Sequence, residues 1–445
     1  MKPEAIYLIC TAGLLLLLLQ CQQTVTTEIT DQSLRNLLMS EPGGIASLML
    51  PRSDELEHIP QDSANPLTAA KVELGRYLFF DPAISFDPAC KAAARTFSCA
   101  TCHFADAGFQ AGRKQAIASG GRGHGFRREK HPMCDSTEVD VQLLRTPSIV
   151  NCAYQEVQLW SGKLGCCGPN KGTDSLWKKG SFMELNRLAM AGVETQARVA
   201  LEAHGMRMDP NLVTETKYLD LFNAAFSDVT PELKYRRFSM AKAIAAYERT
   251  VLTNEAPFQK WLRGDRSALT KDQRWGAYIF FGKGGCNNCH RGPALNSMTF
   301  HALGIKDMSG NDVIPKKNAP EDIMFGRGGF THREEDMYKF KVPQLYNLKG
   351  LKFLGHGGGL SSVEAVIRYI NNAVAENSSV DQKYLSPYFR PLHLTEKEIK
   401  ALTTFVEDAL FDPSLHRYEP GNVPSGFCFP NADKMSREQL RCSEQ

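Results

Sequence analysis

Two five-residue segments constrain this chain more than anything else in it: Cys99-Ala100-Thr101-Cys102-His103 and Cys286-Asn287-Asn288-Cys289-His290. Two cysteines three apart on one turn of helix present both sulfurs to a single edge of a flat macrocycle. The histidine that follows turns beneath its centre. This is the attachment pattern of covalently bound c-type haem, with thioethers from the cysteines and an axial bond from the histidine. A zinc site would draw four ligands from close-set pairs, yet the two motifs are 187 residues apart. A redox Cys-x-x-Cys would need a βαβ setting, which the surrounding sequence lacks.

The rest of the composition narrows the class. A chain of 445 residues has room for two or three domains, and 42% apolar with 23% charged residues is globular composition. With 52 basic and 49 acidic side chains the net charge is +3, which gives no electrostatic case for nucleic acid as a partner. Residues 1–21 read as an export signal: Lys2 precedes an apolar run from Ile6 to Leu19, too short to span a bilayer. The run ends in Leu18-Leu19-Gln20-Cys21, which resembles a lipoprotein cleavage box apart from Gln20. The expected location is therefore the periplasm or cell envelope, with a lipid on Cys21 as the sole membrane contact. Residues 22–64, polar and carrying Pro42-Gly43-Gly44, read as a tether.

From Pro66 onward the periodic segments are mostly helical. Thr270-Lys271-Asp272-Gln273 and Thr395-Glu396-Lys397-Glu398 both have capping-box form ahead of amphipathic runs. Strand signals are sparse, and residues 104–146 and 291–340 are long loops rich in Gly, Arg, Lys and Asn. Loops of that length need something to wrap around, so a large buried ligand should serve as part of the core. Gly75-Arg76-Tyr77-Leu78-Phe79-Phe80 is echoed by Gly276-Ala277-Tyr278-Ile279-Phe280-Phe281, each ahead of a Cys-x-x-Cys-His motif. The expected fold is mainly α, with two cytochrome c-like haem domains and long loops. The expected boundaries are 65–254 and 255–415, with a tail at 416–445.

Further segments carry a resemblance. They are Leu78-Phe79-Phe80-Asp81-Pro82, Thr146-Pro147-Ser148 with Asn151, Leu159-Trp160-Ser161-Gly162-Lys163, Glu194-Thr195-Gln196-Ala197 and Ala245-Ala246-Tyr247-Glu248-Arg249. In the second half they are Gly326-Arg327-Gly328-Gly329, Tyr338 through Asn347, and Gly355-His356-Gly357. Together with the two motifs they make the chain resemble the bacterial di-haem cytochrome c peroxidase/MauG family over most of residues 65–412.

The resemblance implies that peroxide reacts at the N-terminal haem, on His103, and that the C-terminal haem, on His290, feeds it electrons. Gln196 matches the family's distal glutamine. The family's distal glutamate falls on Met206, which cannot carry a proton, and His204 is the nearest acid–base group. Trp160 matches the tryptophan that relays electrons between the haems, with Ser161 and Lys163 replacing the usual Asp and Arg. His124, with His131 as competitor, lies where some members place a displaceable distal histidine on a mobile loop. For the second haem the sixth-ligand position falls on Ile370, which has no donor. Tyr369 is one position away, and Met298, Met308, Met324 and Met337 are alternatives. Relatives often hold a calcium ion between the domains through an asparagine. Backbone carbonyls complete that site; Arg145 occupies the asparagine position, and a guanidinium cannot ligate calcium, so the expectation is either one calcium ion or the Arg145 charge in its place.

Seven cysteines remain besides Cys10, Cys21 and those of the motifs: Cys90, Cys134, Cys152, Cys166, Cys167, Cys428 and Cys442. Cys428–Cys442 is a plausible tail pair, and the odd number leaves at least one unpaired. Three functions compete. One is a peroxidase that reduces hydrogen peroxide with electrons from a small cytochrome c or copper protein. The second is a MauG-like oxidase of a protein or organic substrate. The third is a di-haem electron carrier. Family analogy adds a homodimer as an expectation.

Overall fold

The computed structural model describes residues 29–316 and 321–442. The export signal and Cys21 lie outside them. The architecture is mainly helical with two separate apolar cores. One core is built from residues between Leu74 and Val251, joined by Leu415, Tyr418 and Val423. The other spans Leu252 to Leu410 and takes in Leu34, Leu38, Ile45, Leu48, Leu50 and Ile59.

That last set corrects the tether expected at 22–64. Asp31–Met39 (α1) is a helix capped by the Thr30 hydroxyl, and its Leu34 and Leu38 are wholly buried. The Gln259 side-chain amide holds the segment behind it, accepting from the Leu50 N–H and donating to the Leu48 carbonyl. The stretch is polar on average, but leucines four apart on a short helix form a stripe that the second core covers.

In the first domain Ala69–Phe80 (α2) and Gly192–Ala203 (α3) both pack against Arg237–Thr250 (α4). In the second, Lys271–Phe281 (α5) packs against Glu396–Thr404 (α7), with Val363–Asn372 (α6) beside it. The repeated glycine explains why the helices cross so closely. A Cβ on Gly75 would stand 1.8 Å from the Ala243 carbonyl oxygen of α4, and one on Gly276 would stand 2.1 Å from the Ala401 carbonyl oxygen of α7. Only glycine lets backbone meet backbone at these points. Thr270 and Thr395 form the capping boxes read from the sequence.

Strand is confined to two short antiparallel ribbons. Gly121–Arg122 (β1) pairs with Glu129–Lys130 (β2), and Phe300–His301 (β3) pairs with Phe340–Lys341 (β4). The tail returns to the first domain, where Lys434–Leu440 (α8) closes it. Ser98 Oγ donates to the Pro430 carbonyl, and the Gly123 N–H donates to Asp433. Disulfides Cys90–Cys134 and Cys428–Cys442 fasten this region. No helix among the described residues is long and apolar enough to cross a membrane.

Candidate functional site

Each Cys-x-x-Cys-His motif sits on a single 3-10 turn, and neither pair of cysteines is joined to itself or to another sulfur. The histidines are oriented alike. His103 Nδ1 donates to the Phe109 carbonyl at 3.0 Å, and His290 Nδ1 donates to the Leu295 carbonyl at 2.9 Å. Phe109 and Leu295 both take left-handed backbone conformations, φ 52° and 46°, which turn those carbonyls back towards the imidazoles. Burial lowers both histidine pKa values to about 4, so the rings stay neutral, and at His290 the Pro343 carbonyl is a second backbone partner. Phe79 and Phe280, equivalent residues of the repeat, lie 6.3 and 6.4 Å from the respective histidine rings at interplanar angles of 54° and 51°.

The duplication runs further than the sequence repeat. Asn151 and Asn347 both have φ near 56° and both close a buried loop: Asn151 exchanges hydrogen bonds with Thr253, and Asn347 with Asp412. Bridges Gln158↔Leu164 and Leu354↔Leu360 occupy matching places after these asparagines. Trp160 and His356 therefore stand at equivalent positions of the two halves, and they meet edge to face with ring centroids 6.3 Å apart. The Arg145 peptide ties them, its carbonyl accepting from Trp160 Nε1 at 2.7 Å and its N–H donating to the His356 carbonyl at 2.8 Å. Trp160 is thus placed where the two domains touch.

A mainly apolar cavity of about 340 Å³ adjoins His290, Cys286 and Cys289 and reaches Trp160. Val363, Val366, Ile367 and Ile370 line it as one stripe of α6 at helical spacing. Tyr369 falls off that stripe. It does not line the cavity, and its hydroxyl donates to the Leu303 carbonyl at 2.6 Å. Of the four methionines weighed with it, Met324 lines the cavity.

Two buried cations stand at the cavity's polar edge. The Arg145 guanidinium donates to Gln110 and Ala111, has no carboxylate partner among the described residues, and leaves Nε unpaired. Burial lowers its pKa to about 10. Lys341 bonds to Gln155 and is pushed down to about 7 by burial. The donor set fits a covalent haem: free thiols, a neutral imidazole, apolar walls, and cations suited to the haem's carboxylates. It does not fit the calcium ion. Arg145 fills the asparagine position with a side chain that has donors only.

The first motif packs into the first core, with Cys99 and Cys102 against its apolar residues. Gln196 lies on α3, half-buried, with no protein partner for its amide among the described residues. His204 caps the C-terminus of the same helix. Its Nδ1–H donates to Asp140, leaving Nε2 free. Burial alone would lower the His204 pKa, but the Asp140 carboxylate, by charge and hydrogen bond, raises it. His204 acts electrostatically on His103, and Asp140 on Cys102. Asp140 is the residue that sequence reasoning missed. It lies in a loop 64 residues from its partner, and no motif marks it.

His124 is held by Asn431 at 3.4 Å and packs on Phe104, the residue after His103. Asn431 also bonds to Thr101 within the motif, so ligation by His124 would require these contacts to break. His131 lies apart, bonded to Met133. In the basic run beside them Arg127 is exposed, but Arg128 is not. Arg128 is 2% exposed and donates to the carbonyls of Ile117, Ala118 and Gly123, pinning the loop from inside.

The comparisons with known proteins agree. The family model of di-haem cytochrome c peroxidases matches residues 69–267. The methylamine utilization protein MauG of Methylorubrum extorquens is 31% identical over 80% of this chain and 83% of its own length. Cytochrome c peroxidase Ccp of Escherichia coli is 29% identical over 71% of this chain and 56% of its own length. Among solved structures, a MauG-like protein associated with microbial copper homeostasis superposes with a TM-score of 0.58. It is 22% identical and covers 82% of this chain and 95% of that one.

Proposed function

The chain belongs to the di-haem cytochrome c peroxidase/MauG family, and on that premise we propose that it reduces hydrogen peroxide to water with electrons from a small redox protein. Its two covalently held c-type haems supply the redox chemistry when bound, the first at Cys99, Cys102 and His103 and the second at Cys286, Cys289 and His290. The observation that carries the reading is the His204–Asp140 pair, at the C-terminal end of the helix that carries Gln196.

Reduction of peroxide needs a group that takes a proton from one peroxide oxygen and delivers it to the other. His204 fits that role, because Asp140 holds its Nδ1 proton and leaves Nε2 to accept and return one. The Gln196 amide, unpaired in the protein, can donate to a peroxide oxygen and orient it. These residues stand in for the glutamate that Met206 replaces. Met206 is 1% exposed, buried in the first core, and carries no proton.

The second site has the opposite character. Its walls are mainly apolar, and Met324 lines the cavity together with His301 and His356, which also carry donors; of these we take Met324 as the ligand. A methionine ligand raises haem potential, which suits a relay that accepts electrons and passes them through Trp160 to the first site. The donor expected is a small soluble cytochrome c or copper protein, and the setting expected is the periplasm.

Anaerobic stopped-flow mixing tests the proposal. Peroxide followed by reduced cytochrome c should oxidise two cytochromes for each peroxide consumed. Consumption of peroxide with no cytochrome oxidation would overturn it in favour of a MauG-type oxidase. No reaction with peroxide would leave an electron carrier.

A further inference from the structure

Among the described residues three cysteines take part in neither haem motif nor disulfide: Cys152, Cys166 and Cys167. Cys152 is sealed in the first core, its thiol donating to the Glu248 carbonyl. Cys166 and Cys167 differ in every respect. They are adjacent, Cys167 is exposed, Cys166 is half-buried, and their sulfurs are 2.7 Å apart, well inside contact distance for two unbonded sulfurs.

The loop that carries them is held rigidly on either side. Asn170 donates to the carbonyls of Gly162 and Gly165. Arg327 reaches across from the second domain to Asn170 and to the carbonyls of Ser161 and Pro169. The Gly165 N–H donates to Asn186, and the Cys166 N–H to the Met190 carbonyl. Gly165 and Gly168, at φ 116° and 55°, turn the chain out and back around the two cysteines. The clasp begins one residue after Trp160 and is anchored two residues before α3, the helix of Gln196.

We propose that Cys166 and Cys167 form a thiol–disulfide redox site, which closes to a vicinal disulfide by exchange with small or protein disulfides. Two facts besides the contact point this way. The chain already carries two closed disulfides, so it matures where thiols are oxidised. The clasp also pre-pays the entropy of bringing the sulfurs together. The exposed Cys167 attacks first: its sulfur bonds to one sulfur of the incoming disulfide, and the other sulfur leaves as a thiol carrying one proton. Cys166 then displaces the second thiol, which leaves with the other proton, and the Cys166–Cys167 bond forms. Two cysteine thiols are oxidised and one external disulfide is reduced to two thiols. The inference is independent of the peroxide reading.

Oxidised glutathione is the probe, applied to the full-length holoprotein, followed by maleimide quenching and peptide mass mapping. The expected result is a peptide containing both cysteines that is unlabelled and lighter by two hydrogens, with both labels regained after dithiothreitol. In C166S, Cys167 should retain a mixed glutathione disulfide that cannot resolve. Full maleimide labelling of both cysteines in the wild-type protein after oxidised glutathione would overturn the proposal. So would separate glutathione adducts on each, or a bond from either to Cys152. The wild-type measurement decides the matter even if the variant fails to fold.

Discussion

The two haem domains share an internal frame and differ in what surrounds it. In each, a glycine lets two helices touch, a phenylalanine one turn later flanks the axial histidine, and a left-handed residue turns a carbonyl to the Nδ1 proton. Near the first histidine is the His204–Asp140 pair. Around the second is the apolar stripe Val363, Val366, Ile367 and Ile370. The same attachment therefore serves two chemistries. Proton-moving groups suit a site where a bond to oxygen breaks, whereas dry walls suit a site that only changes charge, because a low-polarity surround limits reorganisation and keeps water off the metal. The duplicated frame holds the groups, and the diverged shell decides what they do.

The comparison can be broken most directly at the attachments. Replacing Cys286 and Cys289 by serine should leave one haem per chain instead of two, read by intact mass and haem content. If such a protein still carried two covalent haems, the equivalence of the motifs would fail. The next effect is confined to the first site. His204→Gln should slow the reaction with peroxide by about 10²–10⁴-fold, the usual contribution of a positioned acid–base group. Reduction of the second haem by the electron donor should be unchanged. An equal loss in both steps would remove His204 from its role.

The shared frame is tested by Gly75→Ala and Gly276→Ala. Each methyl would enter a partner helix's backbone, and each should cost about 1–3 kcal/mol in denaturant unfolding, the range for overpacking. A neutral result at one position would show that the two crossings are not equivalent.

The smallest effects separate the domains by sign. In the first, burial and the neighbouring Glu194 raise the Glu248 pKa to about 8. The folded state then holds a proton that the unfolded chain gives up, so stability should fall as pH rises from about 4.5 towards 8. In the second, burial lowers the Lys341 pKa to about 7. The unfolded chain there binds the extra proton, so stability should rise with pH from about 7 towards 10.5. Glu248→Gln should remove the fall and Lys341→Met the rise, measured as unfolding midpoints across pH.

Much of this was legible in the sequence, for a reason specific to each part. The motifs are contiguous, so their spacing alone states the chemistry. The Gly75 and Gly276 repeat is readable because the constraint falls on single residues at fixed distance from each motif. The helix at Asp31–Met39 was hidden because its stripe is two leucines in a polar setting, and only the second core reveals what covers them. Tyr369 and Ile370 show the limit of counting: adjacent residues on a helix point about 100° apart, and only Ile370 faces the cavity. Asp140 could not be found, because its partner is distant in sequence and neither residue lies in a pattern.

What the sequence determined by itself was the pair of covalent attachments, the helical class and the duplication, since each depends on side chains close together along the chain. Tertiary structure alone decided which histidine gained a carboxylate partner, which side chains faced the second cavity, and that Trp160 met His356 across the domain boundary. Those outcomes depend on groups brought together by packing, and the register of that packing is set by contacts spread over the whole molecule.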